Sequence, residues 1–209
     1  MMWNFVTDLG DSAITLPLTA LTIVFLLFSR WTRAAVVLAL AIGGCALMIG
    51  VLKLVFQSCS HRLIDDGVLN PSGHMAMSTA VYGSLAALLS CSLSARFRWL
   101  PIALAGLLAG AIGVSRVVLH AHTATDVACG FVIGLVAAIL FDRLLRAEPV
   151  TRLQVSWLSF AALAVIAGMH GSRWTIEDSV HRMIAAFRHA VPQCAHAVAR
   201  LPEDREFTI

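Results

Sequence analysis

Ser115-Arg116-Val117-Val118-Leu119-His120-Ala121-His122-Thr123-Ala124-Thr125-Asp126 places an arginine, two histidines and an aspartate between two apolar runs, Trp99–Ser115 and Val127–Phe141, that hold almost nothing polar. Polar chemistry at the edge of a long apolar segment points to function, because a charged group near hydrocarbon is expensive to keep. If Thr123 or Thr125 caps the helix that follows, His122 and Asp126 lie four residues apart in its first turn and share a face. The carboxylate is then placed to orient the imidazole.

The apolar flanks set the class of protein. The chain has 209 residues, 59% of them hydrophobic and only 13% charged, with a mean hydropathy of +0.84. That composition excludes an ordinary water-soluble domain. The net charge of +3 is almost all arginine, since Lys53 is the single lysine, and scattered arginine in so apolar a chain is topological rather than a nucleic-acid surface. Cys45, Cys91 and Cys129 sit in apolar runs as small hydrophobes, and no cysteine spacing matches a metal site.

Outward from the central stretch, six runs approach the roughly 20 residues that a helix needs to cross about 30 Å of hydrocarbon. They are 12–29 (with Pro17), 34–52, 75–95, 99–115, 127–141 and 153–169. The expected fold is an all-α, polytopic membrane helical bundle of about six transmembrane helices. Residues 1–11 are mildly acidic and lack a basic start and a cleavage site, so the first run is expected to be retained. Lys53 to Gly73 reads as a polar connection ending in the turn Asn70-Pro71-Ser72-Gly73. Two regions result, a transmembrane domain over 1–170 and a polar tail over 171–209. In the tail Ile176, Val180, Met183, Ile184, Phe187 and Val191 recur at helical spacing, as in an amphipathic helix on the bilayer surface.

Arginines give the orientation. Arg30 and Arg33, Arg96 and Arg98, and Arg143, Arg146 and Arg152 follow the first, third and fifth runs, which alternation brings to one side, the cytoplasmic one by the positive-inside tendency. Lys53, Asn70–His74, Arg116, His122 and Asp126 are thereby all assigned to the opposite face. The five arginines of the tail run against this scheme and make the sixth run the weakest of the spans.

Those residues suit a phosphate ester. Arg116 offers a planar fork and Lys53 a point charge, while the backbone amides of Ser72 and Gly73, opening a helix, add an anion site. A neutral imidazole attacks phosphorus best when a carboxylate fixes its tautomer, which makes His122 the nucleophile and Asp126 its orienter. His74 is the remaining imidazole, able to protonate the leaving alkoxide.

Pro71-Ser72-Gly73-His74, and Ser115-Arg116 with His122 and Asp126, resemble the phosphatidic acid phosphatase type 2 family, membrane lipid phosphatases related to vanadium haloperoxidases. Its pattern is Lys, then Arg-Pro after six residues, then Pro-Ser-Gly-His, then Ser-Arg, five residues, His, three residues, Asp. The second and third elements match at every specified position. The first matches only at Lys53, because Ser60-His61 stands where the family has Arg-Pro. Arg62 is either a displaced substitute for that arginine or, with His61, part of a solvated pair. His120 is off the family position and reads as structural.

The resemblance implies a metal-independent phosphatase with no cofactor, a phosphohistidine on His122, and substrate contacts from Lys53, Arg116, Ser72, Gly73 and Ser115, with Arg62 as a candidate. Membrane lipids surround it, and its substrate is a lipid phosphate: a polyprenyl diphosphate, or a phospholipid such as phosphatidic acid or phosphatidylglycerol phosphate. The family also contains phosphotransferases. Two other readings fit less of the sequence. An anion transporter needs charge at mid-span depth, whereas the charges here lie at run ends. A serine protease built on Ser72 leaves Lys53, Arg116 and Asp126 without roles.

Overall fold

The computed structural model describes residues 2–59, 62–64, 67–68, 70–145 and 152–172. The amphipathic helix expected over 171–209 lies outside the described residues. Among these residues seven helices and two short strands run in the order α1 Met2–Asp8, α2 Ser12–Phe28, α3 Thr32–Cys59, β1 Arg62–Ile64, β2 Gly67–Val68, α4 Gly73–Ser92, α5 Trp99–Val118, α6 Ala124–Leu145 and α7 Arg152–Met169. Among the described residues five segments are long and apolar enough to cross a membrane: Met2–Phe28, Thr32–Phe56, Gly73–Ser92, Trp99–Val118 and Ala124–Leu145. The chain is therefore a polytopic integral membrane protein. In α7 the apolar stretch is shorter, Ser156–Met169.

Two compact units divide the residues. One comprises Met1–Ile49 and Pro71–Trp174; the other includes Gly50–Asn70. In the second unit α3 runs on to Cys59, seven residues past the expected end of its span, so Lys53 lies within a helix and is buried. The antiparallel pair of β1 and β2 follows, where a loop was expected, with Arg62 opposite Val68 and Ile64 opposite Gly67.

In the first unit α4 is the central helix. Two thirds of its apolar window is buried, 67% against 22–33% for the other candidate spans. It is also the least apolar of them, with a hydropathy of 1.3. The two facts agree because its hydroxyls bond its own backbone: Ser78 and Thr79 donate to the Met75 carbonyl and Ser90 to that of Ala86. A hydroxyl satisfied in this way does not need water. On α2, Thr19 and Thr22 do the same to Thr15 and Leu18.

Helices α5, α6, α2 and α7 pack around α4. The approach of α6 is close enough to require glycine. A Cβ built on Gly130 would lie 2.5 Å from the Ser72 carbonyl oxygen, and one on Gly134 would collide with the Ala76 carbonyl. Small residues let helix backbones meet in this way where no hydrophobic driving force acts between them. The outer faces of α5 and α6 stay apolar and exposed, as at Leu104, Leu107, Val132 and Leu140, which suits contact with lipid.

Candidate active site

The end of α5 is shaped by His120. Its φ of 53° puts it in the left-handed region, normally disfavoured by about 1–2 kcal/mol for a residue with a Cβ. The turn recovers two bonds: the His120 amide donates to the Val117 carbonyl at 3.0 Å and the Ala121 amide to that of Arg116 at 3.1 Å. This pairing is a Schellman C-cap, with histidine where glycine is usual. The chain reverses, and the His122 amide reaches the same Arg116 carbonyl at 3.3 Å. Six residues apart in sequence, Arg116 and His122 are thus held in one turn.

Helix α6 starts at once. The Asp126 amide donates to Thr123 Oγ1 at 3.2 Å, and Asp126 Oδ2 accepts from the Thr123 amide at 3.1 Å. That reciprocal pair is a capping box, so Thr123 rather than Thr125 caps the helix. The same Oδ2 lies 3.8 Å from His122 Nδ1, longer than a hydrogen bond, and both side chains are almost wholly buried. With Nδ1 on the carboxylate side, Nε2 is the nitrogen on the other edge of the ring.

The turn before α4 joins this one. Ser72 caps α4, its Oγ accepting from the Met75 amide at 3.4 Å, and its own amide donates to the Asp126 carbonyl at 3.1 Å. The sequence assigns that amide to a phosphate; in the structure it is bonded between helices instead. Ser115 is likewise inward, fully buried with Oγ donating to the Ile112 carbonyl at 2.6 Å. Its hydroxyl supports α5.

Residues 1–11 contribute two contacts that the sequence reading missed. Arg116 Nη1 donates to Thr7 Oγ1 of α1 at 3.3 Å. Asp11 Oδ2 lies 3.4 Å from His74 Nε2, while Asp11 Oδ1 accepts from the Ala13 amide at 2.8 Å and so caps α2. The segment is fastened by Tyr82, whose hydroxyl donates to the Leu9 carbonyl at 2.6 Å, and by Gly10, where an added Cβ would lie 2.9 Å from Ile112 Cγ2. One signal was available: an acidic cap directly before a spanning run is itself a charge at a membrane boundary.

The first unit thus brings together Asp11, Ser72, Gly73, His74, Arg116, His122 and Asp126. Lys53 and Arg62 belong to the second unit, Lys53 buried on α3 and the backbone of Arg62 in β1; Ser60 and His61 lie outside the described residues. Among the described residues no three His, Cys, Asp or Glu side chains gather as metal ligands do.

Residues 53–149 match the family described as the PAP2 superfamily. The chain is 30% identical over 141 residues to phosphatidylglycerophosphatase B of Bacillus subtilis, a match covering 65% of this chain and 70% of that protein. It is 28% identical over 168 residues to an uncharacterized 22.5 kDa protein in the cps region of Klebsiella pneumoniae, covering 79% and 80% respectively. No solved structure matches the chain.

Proposed function

This chain belongs to the PAP2 superfamily, and from that premise we propose that it is a lipid phosphatase that works through a phosphohistidine on His122, without a metal, at the extracytoplasmic face. A lipid phosphatase-type activity is what the family supports. The finer reading rests above all on the Ser72 amide bonded to the Asp126 carbonyl. That bond draws the Pro-Ser-Gly-His turn and the Arg116–Asp126 turn into one polar cluster, with two imidazoles, an arginine and a helix start.

The proposed cycle has two displacements. Nε2 of His122 attacks phosphorus and the bond to the leaving oxygen breaks; His74 supplies the proton that the alkoxide takes up. Water then attacks the phosphohistidine, giving up a proton to His74, and inorganic phosphate departs with His122 restored. Arg116 and the first-turn amides of α4 meet the charge on the equatorial oxygens, the electrostatic stabilisation on which phosphoryl transfer chiefly depends. Lys53 keeps the role that the sequence resemblance implies. Arg62 remains the candidate for the missing family arginine, and loss of activity in Arg62→Ala is the observation that would establish it.

A site at the ends of spanning helices favours a head group carried on a lipid tail. The name of the Bacillus subtilis relative makes phosphatidylglycerol phosphate the first substrate to test, ahead of phosphatidic acid and polyprenyl diphosphate. The arginines after the first, third and fifth spans support an extracytoplasmic site. The test is phosphate release from each of the three lipids by the purified protein in detergent with EDTA present. Release from none of them refutes the phosphatase, and activity abolished by EDTA refutes its independence of metal.

A further inference from the structure

We propose that Asp11 is a positioning residue for His74, so that the site holds two histidine–carboxylate pairs, one for the attacking imidazole and one for the acid. The inference rests on the phosphatase reading above and adds a residue that lies outside the motifs carrying that reading.

The two pairs are built alike. Asp126 stands in the first turn of α6, where its carboxylate accepts from the amide of the capping Thr123 and also lies 3.8 Å from His122 Nδ1. Asp11 caps α2 through Oδ1, on the Ala13 amide, and turns Oδ2 to His74 Nε2 at 3.4 Å. In both, a helix start fixes the carboxylate before the imidazole meets it. A carboxylate anchored by a backbone amide cannot rotate away without losing the cap, so the ring opposite it is held as well.

The neighbourhood keeps Asp11 in place. Tyr82, from α4, donates to the Leu9 carbonyl two residues before it, and Gly10 sits where a Cβ would strike Ile112 of α5. His74 belongs to the same helix as Tyr82. Asp11 and His74 are therefore registered to one another through α4. Their side chains retain 14% and 20% exposure, against 7% and 3% for Asp126 and His122. The Asp11–His74 pair is the more exposed of the two, which suits a proton donor to a departing group.

The chemistry assigns the two ring nitrogens. Before the first displacement His74 carries hydrogen on both. Nε2–H faces the Asp11 carboxylate, which leaves Nδ1–H for the leaving oxygen. After transfer the neutral ring keeps its Nε2 hydrogen towards Asp11, and Nδ1 accepts a proton from the attacking water in the second displacement. Asp11 stays a carboxylate throughout. It sets the ring's direction and tautomer and does not exchange protons with substrate.

The test compares esters that differ in how much they need an acid. An alkyl phosphate leaves as a poorly stabilised alkoxide and requires the proton; 4-nitrophenyl phosphate leaves as a stable anion and does not. Asp11→Asn is the informative variant, because asparagine keeps the cap on α2 while removing the charge. In the purified, full-length protein we expect its kcat/KM on dodecyl phosphate, which reports the first displacement alone, to fall roughly ten- to a hundredfold, part of what a positioned acid contributes, and its kcat/KM on 4-nitrophenyl phosphate to change by less than about threefold. In a His74→Ala background Asp11→Asn should add no further loss on dodecyl phosphate, since the group it acts through is gone. Equal losses on both esters, no loss on dodecyl phosphate, or an additive loss in the double variant would each overturn the assignment. A wild-type protein that releases phosphate from no ester or lipid would instead refute the phosphatase reading, and Asp11's role with it.

Discussion

Arg116 reaches Thr7 across 109 positions of sequence, its Nη1 donating to the threonine hydroxyl at 3.3 Å. The guanidinium assigned to a substrate phosphate is thus bonded to the first helix of the chain. Thr7→Val keeps the shape and removes the acceptor. It should raise KM for lipid phosphate by roughly three- to tenfold, the effect of a neutral hydrogen bond to a charged group, with kcat less affected. Steady-state kinetics in mixed micelles measure the split, and an unchanged KM would show that the contact does not position Arg116.

The two histidines should fail differently. His122→Ala should lower turnover of every ester to below about one thousandth of wild type, because it removes the attacking atom. In kcat/KM, which reports the first displacement, His74→Ala should cost more on alkyl than on aryl phosphates, since only the former need a proton on the leaving oxygen. Normal turnover by either variant would end its assignment, provided gel filtration shows the protein intact.

Asp126 serves stability and chemistry at once, and two substitutions separate them. Asp126→Asn retains an acceptor for the Thr123 amide and should lower activity less than His122→Ala does. Asp126→Ala loses the capping box as well, at a further cost of about 1 kcal/mol in stability. Thermal unfolding in detergent, followed alongside phosphate release, distinguishes the two; equal stability of both variants would mean that the box contributes little.

Gly130→Ala tests the approach of α6 to the active-site turn. The new Cβ would meet the Ser72 carbonyl at 2.5 Å, and backbone cannot yield as a flexible side chain does. We expect a loss of about 1–3 kcal/mol in stability together with reduced activity. An alanine variant with wild-type stability and turnover would show that the helices separate at no cost.

His120 carries positive φ on an exposed surface, so its side chain is dispensable and its backbone is not. His120→Gly should retain activity and leave the protein as stable or stabilise it by up to about 1 kcal/mol; His120→Val, β-branched, should destabilise it. Unfolding curves of the two variants decide the matter. Loss of activity in the glycine variant, with the fold intact, would give the imidazole a role in the chemistry.

Much of the architecture was legible because hydrocarbon imposes a one-dimensional rule: a helix must be long and apolar enough to cross. Among the described residues five of the six expected spans meet that requirement, four of them within a few residues of the expected ends and the first extended back to Met2, while in α7 the described apolar stretch is shorter. The paired motifs were legible for a related reason, since charge is rare enough in such a chain for its spacing to stand out. Boundaries read less well. The sequence placed Lys53 at the end of a span, but three further apolar residues, Leu54, Val55 and Phe56, let α3 continue past it.

What the tertiary structure alone decided is where each polar group spends its bonds. The composition of the Ser72 turn is compatible with an amide aimed at phosphate; only the approach of α6 at Gly130 commits that amide to Asp126. Asp11 is, in sequence, an acid ahead of a helix, and nothing local says that its second oxygen faces a histidine 63 positions away. Sequence determines which groups lie at the ends of spans, because hydropathy is a property of each segment taken separately. Partnership among those ends depends on how the helices pack, and packing is a property of pairs of segments that no single segment carries.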